Sequence, residues 1–170
     1  MKNINLLTPG PVPMPPEVYE ALAAPMSHHR TPEFTELLKS CLDNLKQLFC
    51  TQQPVLIHTS TGSGAMESAI VNTLSSSDEV LVINAGKFGE RWKNICSAYQ
   101  FQKIHEIKVS WGNTITPEEI TSYLEKNKNI KALLLQYCET STGVLQPIKD
   151  IAQAVKKLNQ DILIIVDAIT

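Results

Sequence analysis

The sequence predicts an α/β protein, a mainly parallel sheet covered by helices. Three observations carry that expectation. Beyond residue 50, five short apolar runs alternate with helical patterns. The runs are rich in Val, Ile and Leu with little polar alternation, as strands buried on both faces should be. Most intervals between them hold a helical pattern, and parallel neighbours need crossovers of that kind.

The first sixteen residues hold five prolines and one glycine, so they form an extended arm rather than a helix or a central strand. A short helix is expected over Glu17–Ala24, before Pro25. Thr31 reads as an N-cap with Pro32 at the first helical position and Glu33 in the first turn. Phe34, Leu37, Leu38, Cys41, Leu42, Leu45, Leu48 and Phe49 then recur at three and four, the apolar stripe of a packed helix. The expected strands are Pro54–His58, Glu79–Asn84, Ile104–Val109, Ala132–Tyr137 and Ile162–Val166. The expected helices are Gly64–Leu74, Phe88–Tyr99, Pro117–Lys126 and Pro147–Leu158. The organisation is therefore an arm over residues 1–16, helices over 17–50 and a sheet-containing part over 51–170.

A chain of 170 residues that is 43% hydrophobic can bury a core, which excludes wholesale disorder. Fifteen basic against seventeen acidic residues leave no positive surface to track phosphates, so nucleic acid is not an expected partner. The N-terminus breaks on proline and glycine before a secretory apolar segment forms, and no run approaches the ~20 residues of a membrane span. Cys41, Cys50, Cys96 and Cys138 lack metal spacing. They read as reduced thiols of a cytoplasmic protein, with no metal site expected.

Four segments could carry chemistry. Ser60-Thr61-Gly62-Ser63-Gly64 precedes a helix, where small residues allow close backbone approach and free N–H groups attract an anion. It is not a dinucleotide fingerprint, because Glu67 stands at the third glycine position and Asn84 replaces the acidic residue closing the next strand. An ordinary strand–helix turn remains the alternative. Gly86-Lys87-Phe88-Gly89 presents an aromatic at a strand end, either flat against a planar ligand or packed down into the fold. Glu139-Thr140-Ser141-Thr142-Gly143 offers hydroxyls, or is simply a capped loop. Asp167 ends a buried run, where a carboxylate needs a partner of some kind. All four fall at one edge of the same sheet.

These residues resemble the class V aminotransferases among the fold-type I pyridoxal-phosphate enzymes, nearest to the alanine–glyoxylate and serine–glyoxylate types and the soluble hydrogenase small-subunit group. The motifs are Leu7-Thr8-Pro9-Gly10-Pro11, His29-Arg30-Thr31-Pro32-Glu33-Phe34, Ser60 to Glu67, Gly86 to Arg91, Ser141-Thr142-Gly143-Val144-Leu145-Gln146-Pro147 and Val166-Asp167-Ala168. The resemblance implies a large domain that binds pyridoxal 5'-phosphate. Thr61, Gly62 and Ser63 would hold its phosphate, and Phe88 would stack on its ring. Thr140 would lie near the phenolic oxygen, and Asp167 would pair with the pyridine nitrogen. Gly10 would lie on the substrate side, near a subunit interface of a homodimer.

The implied activity is transfer of an amino group from a small amino acid, alanine or serine-like, to the 2-oxo acids glyoxylate or pyruvate. The family's catalytic lysine, C-terminal small domain and substrate-binding arginine would all follow residue 170. The fold expected here is thus an incomplete fold-type I large domain, truncated after the Asp167 strand and inactive by itself. The strand at Val55–His58 would lack its neighbours, which the resemblance places beyond residue 170. A lyase or desulfurase of the same class is one alternative. A noncatalytic phosphate-binding or dimerising product is the other.

Overall fold

The computed structural model describes residue 8 and residues 10–169. Of the expected arm, residues 1–7 and 9 lie outside the described residues, while residues 11–15 carry neither helix nor strand. The chain divides into two compact units, Met1–Thr59 and Ser60–Thr170.

The first unit contains α1 (Pro16–Ala23) and α2 (Pro32–Leu48). Thr31 caps α2 as expected, its hydroxyl accepting the Phe34 N–H at 3.3 Å. The amphipathic stripe of α2 forms, but none of its residues is fully buried, and Leu37, Leu48 and Phe49 stand open. Residues 54–58, expected as a strand, form none. A strand exists only through hydrogen bonds to a neighbour, and no described strand pairs with this run; Leu56 is 76% exposed.

The second unit runs α3 (Gly62–Thr73), β1 (Glu79–Asn84), α4 (Lys87–Ala98), β2 (Lys103–Lys108), α5 (Pro117–Lys126) and β3 (Ile130–Gln136). It continues through β4 (Cys138–Glu139), β5 (Val144–Leu145), α6 (Ile148–Leu158) and β6 (Leu163–Asp167). Four of these strands form a parallel sheet in the order β2-β1-β3-β6, and β4 with β5 makes a small antiparallel pair. Side chains alternate between the two faces. Val80, Val82, Ala132 and Leu134 pack against Met66, Ile70, Trp92 and Cys96 of α3 and α4. Leu81, Ile83, Leu133 and Leu135 pack against Ile120 and Leu124 of α5 and Ile151 and Val155 of α6. Because both faces are covered there, the inner strands β1 and β3 carry apolar runs rather than an alternation, while the edge strand β2 mixes Lys103, His105, Glu106 and Lys108 among its isoleucines. Each fully buried aliphatic side chain contributes about 1.5–3 kcal/mol, so these two clusters dominate the unit's stability.

Local signals fix the helix ends. Thr116 and Glu119 form a reciprocal capping box at α5, with Glu119 Oε2 accepting the Thr116 N–H at 2.8 Å. The β4–β5 pair was not expected from the sequence, because two-residue strands are too short to show a period. Its turn closes when the Glu139 carbonyl accepts the N–H groups of Thr142 and Gly143, both at 2.9 Å. Gly143 sits at φ 76°, the left-handed conformation such a turn demands.

Charge pairs brace the sheet. At the amino ends of the strands, Glu79 meets His105 at 2.8 Å and Lys103 at 2.9 Å. Hydrogen bonds from His105 and then Lys103 hold the Glu79 carboxyl below its ordinary range. At Glu106, burial pushes the carboxyl up, but bonds from Lys93 and Asn84 outweigh it and the net shift is downward. A carboxylate depressed in the folded state contributes stability above its unfolded pKa of about 4.3 and loses it as pH falls through the folded value. Denaturant unfolding should therefore show stability level above about pH 5 and declining below it, with a shallower decline in Glu79→Gln and Glu106→Gln. Identical slopes in parent and both variants would refute the assignment.

Candidate functional site

The strand order sets the site. From β1 the chain steps outward to β2, then crosses back over β1 to β3 and on to β6. The direction of winding reverses between β1 and β3, and it is there that α3 and α4 give way to α5 and α6 as the covering pair. In open α/β sheets, ligands bind outside the carboxyl ends of the strands at such a reversal. The segments after β1, β3 and β6 all emerge at that edge, because parallel strands end on the same side.

Of the helices that open at this edge, α3 and α4 cover one face of the sheet, and their first turns differ. Gly86 N-caps α4, and the next three N–H groups are all taken by the β4–β5 turn. Lys87 N–H donates to Ser141 Oγ at 3.1 Å, Phe88 N–H to Glu139 Oε1 at 3.1 Å and Gly89 N–H to Glu139 Oε2 at 3.0 Å. The Ser141 hydroxyl donates to the same carboxylate. At α3, by contrast, Thr61 occupies the N-cap without a side-chain cap bond, and Gly62 and Ser63 open the helix. An uncapped first turn built from Gly62, Ser63 and Gly64 leaves N–H donors and the positive helix end for an anion. A Cβ at Gly62 would lie 3.6 Å from the Ile169 side chain, so this turn adjoins the segment after β6.

Between them runs a polar row on the α3/α4 face of the sheet. Asn84 Nδ2 donates to Glu106 Oε1 at 2.8 Å, and Lys93 Nζ reaches Glu106 Oε2 at 2.7 Å. Gln136 stands beside Asp167 in register on β3 and β6. Asp167 is half-buried. Its backbone carbonyl accepts the Tyr137 N–H at 2.8 Å, and its Oδ1 accepts the Ile169 N–H at 3.2 Å. Gln136 is fully buried, and neither polar atom of its carboxamide finds a partner among the described residues. An unpaired buried amide costs about 1–3 kcal/mol, so Gln136→Met, of similar shape, should raise the unfolding free energy by about 1 kcal/mol. A Gln136→Met variant less stable than the parent would show that this amide is paired after all.

The expected site residues fall as follows. Phe88 is half-buried at the second position of α4, outside both core clusters, with the Arg91 guanidinium 5.0 Å from its ring centroid. The alternative that it packs into the core therefore fails. Thr140 is half-buried in the β4–β5 turn, joined to Phe88 through its neighbour Glu139. Thr61 is exposed, and Gly62 and Ser63 are half-buried. Gly10 is exposed and belongs to the first unit. Sequence reading gave no role to Glu139 or Gln136. The signal for Glu139 was present, since a carboxylate directly after a buried strand must find donors.

Comparison with known proteins follows the same lines. The sequence model of the family described as aminotransferase class-V matches residues 14–170. The chain belongs to the class-V aminotransferase family. The cofactor of such aminotransferases is pyridoxal 5'-phosphate. An uncharacterized aminotransferase of Helicobacter pylori is 41% identical over 165 residues, 97% of this chain and 44% of the relative. A serine–glyoxylate aminotransferase of Hyphomicrobium methylovorum is 32% identical over 98% of this chain and 42% of its own length. Among solved structures, a subgroup IV aspartate aminotransferase from Thermus thermophilus superposes with a TM-score of 0.87 at 35% identity. That match covers 96% of this chain and 45% of the other. The chain thus spans less than half the length of the class-V relatives it matches, a partial fold-type I large domain. No described helix is long and apolar enough to cross a membrane.

Proposed function

We propose that the complete protein carrying this sequence is a pyridoxal-phosphate transaminase. It would move the amino group of a small amino acid, alanine or serine-like, to glyoxylate or pyruvate. One observation supports the reading most: of the two helices covering the Asp167 face of the sheet, α4 has its first turn filled by Glu139 and Ser141 while α3 has no side-chain cap. A phosphate suits the second and not the first.

The residues fit the cofactor. Thr61 and Ser63 hydroxyls and the N–H groups of Gly62 and Ser63 hold the phosphate. The face of Phe88 away from Arg91 stacks on the ring, and the Thr140 hydroxyl bonds the phenolic oxygen. Asp167 holds a proton at the pyridine nitrogen through a charged hydrogen bond, and its half-buried setting strengthens that bond. When bound, the cofactor draws in the electron pair left on the substrate as its Cα proton departs. Gly10 would lie on the substrate side, near a subunit interface of a homodimer, and the protein works in the cytoplasm. The reaction also needs a lysine, which the resemblance places beyond residue 170.

The test is an amino-transfer assay on the complete protein with added pyridoxal phosphate, offering alanine or serine as donor and glyoxylate or pyruvate as acceptor. Glycine or alanine formed in step with loss of the donor is the expected result. Elimination from serine, or sulfur release from cysteine supplied in a parallel assay, without any amino transfer would replace this reading with the lyase or desulfurase one.

A further inference from the structure

We infer that Glu139 is a positioning residue, whose buried carboxylate fixes the ring-stacking aromatic and the ring-binding hydroxyl in one arrangement. The inference rests on the cofactor reading above and adds a residue that touches no cofactor atom in it. Glu139 has no exposed surface. Its two carboxylate oxygens take the N–H groups of Phe88 and Gly89, so they set where α4 begins and how the Phe88 backbone is oriented. Its own carbonyl closes the turn that presents Thr140, accepting from Thr142 and Gly143. One residue therefore sits at both ends of the linkage, bonded to Phe88 across 51 positions of sequence.

The surroundings are shaped around the carboxylate. A Cβ at Gly86 would fall 2.6 Å from Glu139 Cγ and Cδ and from Ser141 Oγ, leaving no space for a side chain at the strand-to-helix link. Bonds to an ionised acceptor are stronger than neutral ones, and removing the acceptor leaves donors unpaired in a closed setting. The first turn of α4 would then shift or fray. A displacement of about 1 Å in a positioning element costs up to ~10²-fold in a reacting site.

A cap that served stability alone would lower the melting temperature without touching the cofactor's environment. The two are separated by measuring pyridoxal-phosphate affinity, the visible circular dichroism of the bound cofactor and Tm in the complete protein. The variants are Glu139→Ala, Glu139→Gln and Ile151→Ala. Ile151 packs on the opposite face of the sheet and supplies a control for general destabilisation. The expected result is a loss of affinity of about tenfold or more in Glu139→Ala, the size typical of an outer-shell partner. Most of the visible dichroism goes with it. Glu139→Gln, which keeps one carbonyl acceptor, falls between, and Ile151→Ala loses Tm but neither cofactor signal.

Affinity within twofold of the parent and an unchanged band in Glu139→Ala overturn the inference alone. So does an equal loss of both signals in Ile151→Ala. Where Glu139→Ala does not fold, Glu139→Gln decides, and parental values there overturn it. A parent protein that binds no pyridoxal phosphate overturns the cofactor reading, and this inference with it.

Discussion

Asp167→Asn in the complete protein should cut amino transfer by about 10²-fold or more, the usual cost of removing one preorganised charge partner from a reacting centre. The side chain keeps its size and can still accept the Ile169 N–H, so the local fold has little reason to change. What disappears is the negative charge proposed to keep the ring nitrogen protonated. Asp167→Ala should lose at least as much activity and also the bond to Ile169. A single exposed bond of that kind contributes about 0.5–1.5 kcal/mol, a shift of only a few degrees in Tm. Activity and stability should thus separate widely in both variants. Either variant turning over at the parental rate would remove Asp167 from the chemistry.

Gly89→Ala should be the most disruptive small substitution in the second unit, lowering unfolding free energy by about 3 kcal/mol, the upper end of overpacking costs. Gly89 lies where the first turn of α4 crosses the end of β1. A Cβ there would come 2.8 Å from the Ile83 carbonyl oxygen and 2.8 Å from the Asn84 Cα, and 3.2 Å from Gln136 Oε1. Two of those three obstacles are backbone of a central strand and have no rotamer by which to retreat. The same substitution would pull the Gly89 N–H from the Glu139 carboxylate, so cofactor affinity should fall together with stability. Denaturant unfolding within 0.5 kcal/mol of the parent would mean that α4 can slide away from the sheet.

Much of the second unit is legible in the sequence because its inner strands β1 and β3 are buried on both faces. A run such as Leu81-Val82-Ile83 must be apolar for both faces, and such runs located β1, β2, β3 and β6 to within two residues at either end. Thr31 announced a helix start through chemistry confined to one turn. The run at 54–58 is apolar in the same way but forms no strand, since being a strand is a property of a pair and the composition of one member cannot supply the other. The α2 stripe is similar: amphipathicity states that a face is to be covered, and Leu37 and Leu48 do not say by what.

Site legibility divides along the same line. Phe88, Thr140 and Asp167 could be gathered at one edge because parallel strands all end on the same side. The function of Glu139 depends on N–H groups fifty positions earlier, and no local pattern encodes an acceptor for a helix that distant. Gln136 is harder still, since nothing in the sequence marks it as buried beside Asp167.

The long reach from Glu139 back to α4 also bears on how the protein is made. Synthesis runs from the N-terminus at about 5–20 residues per second, so several seconds pass between the emergence of Phe88 and that of the residue that anchors it. During that interval β1 and α4 already exist as chain, while the donors at the start of α4 have no carboxylate to meet. The turn at Gly62, proposed to hold the phosphate, waits longer, until Ile169 arrives to pack beside it. On the cofactor reading, ligand capture by the nascent chain would have to wait at least until β6 has been delivered, whatever the concentration of cofactor around the ribosome.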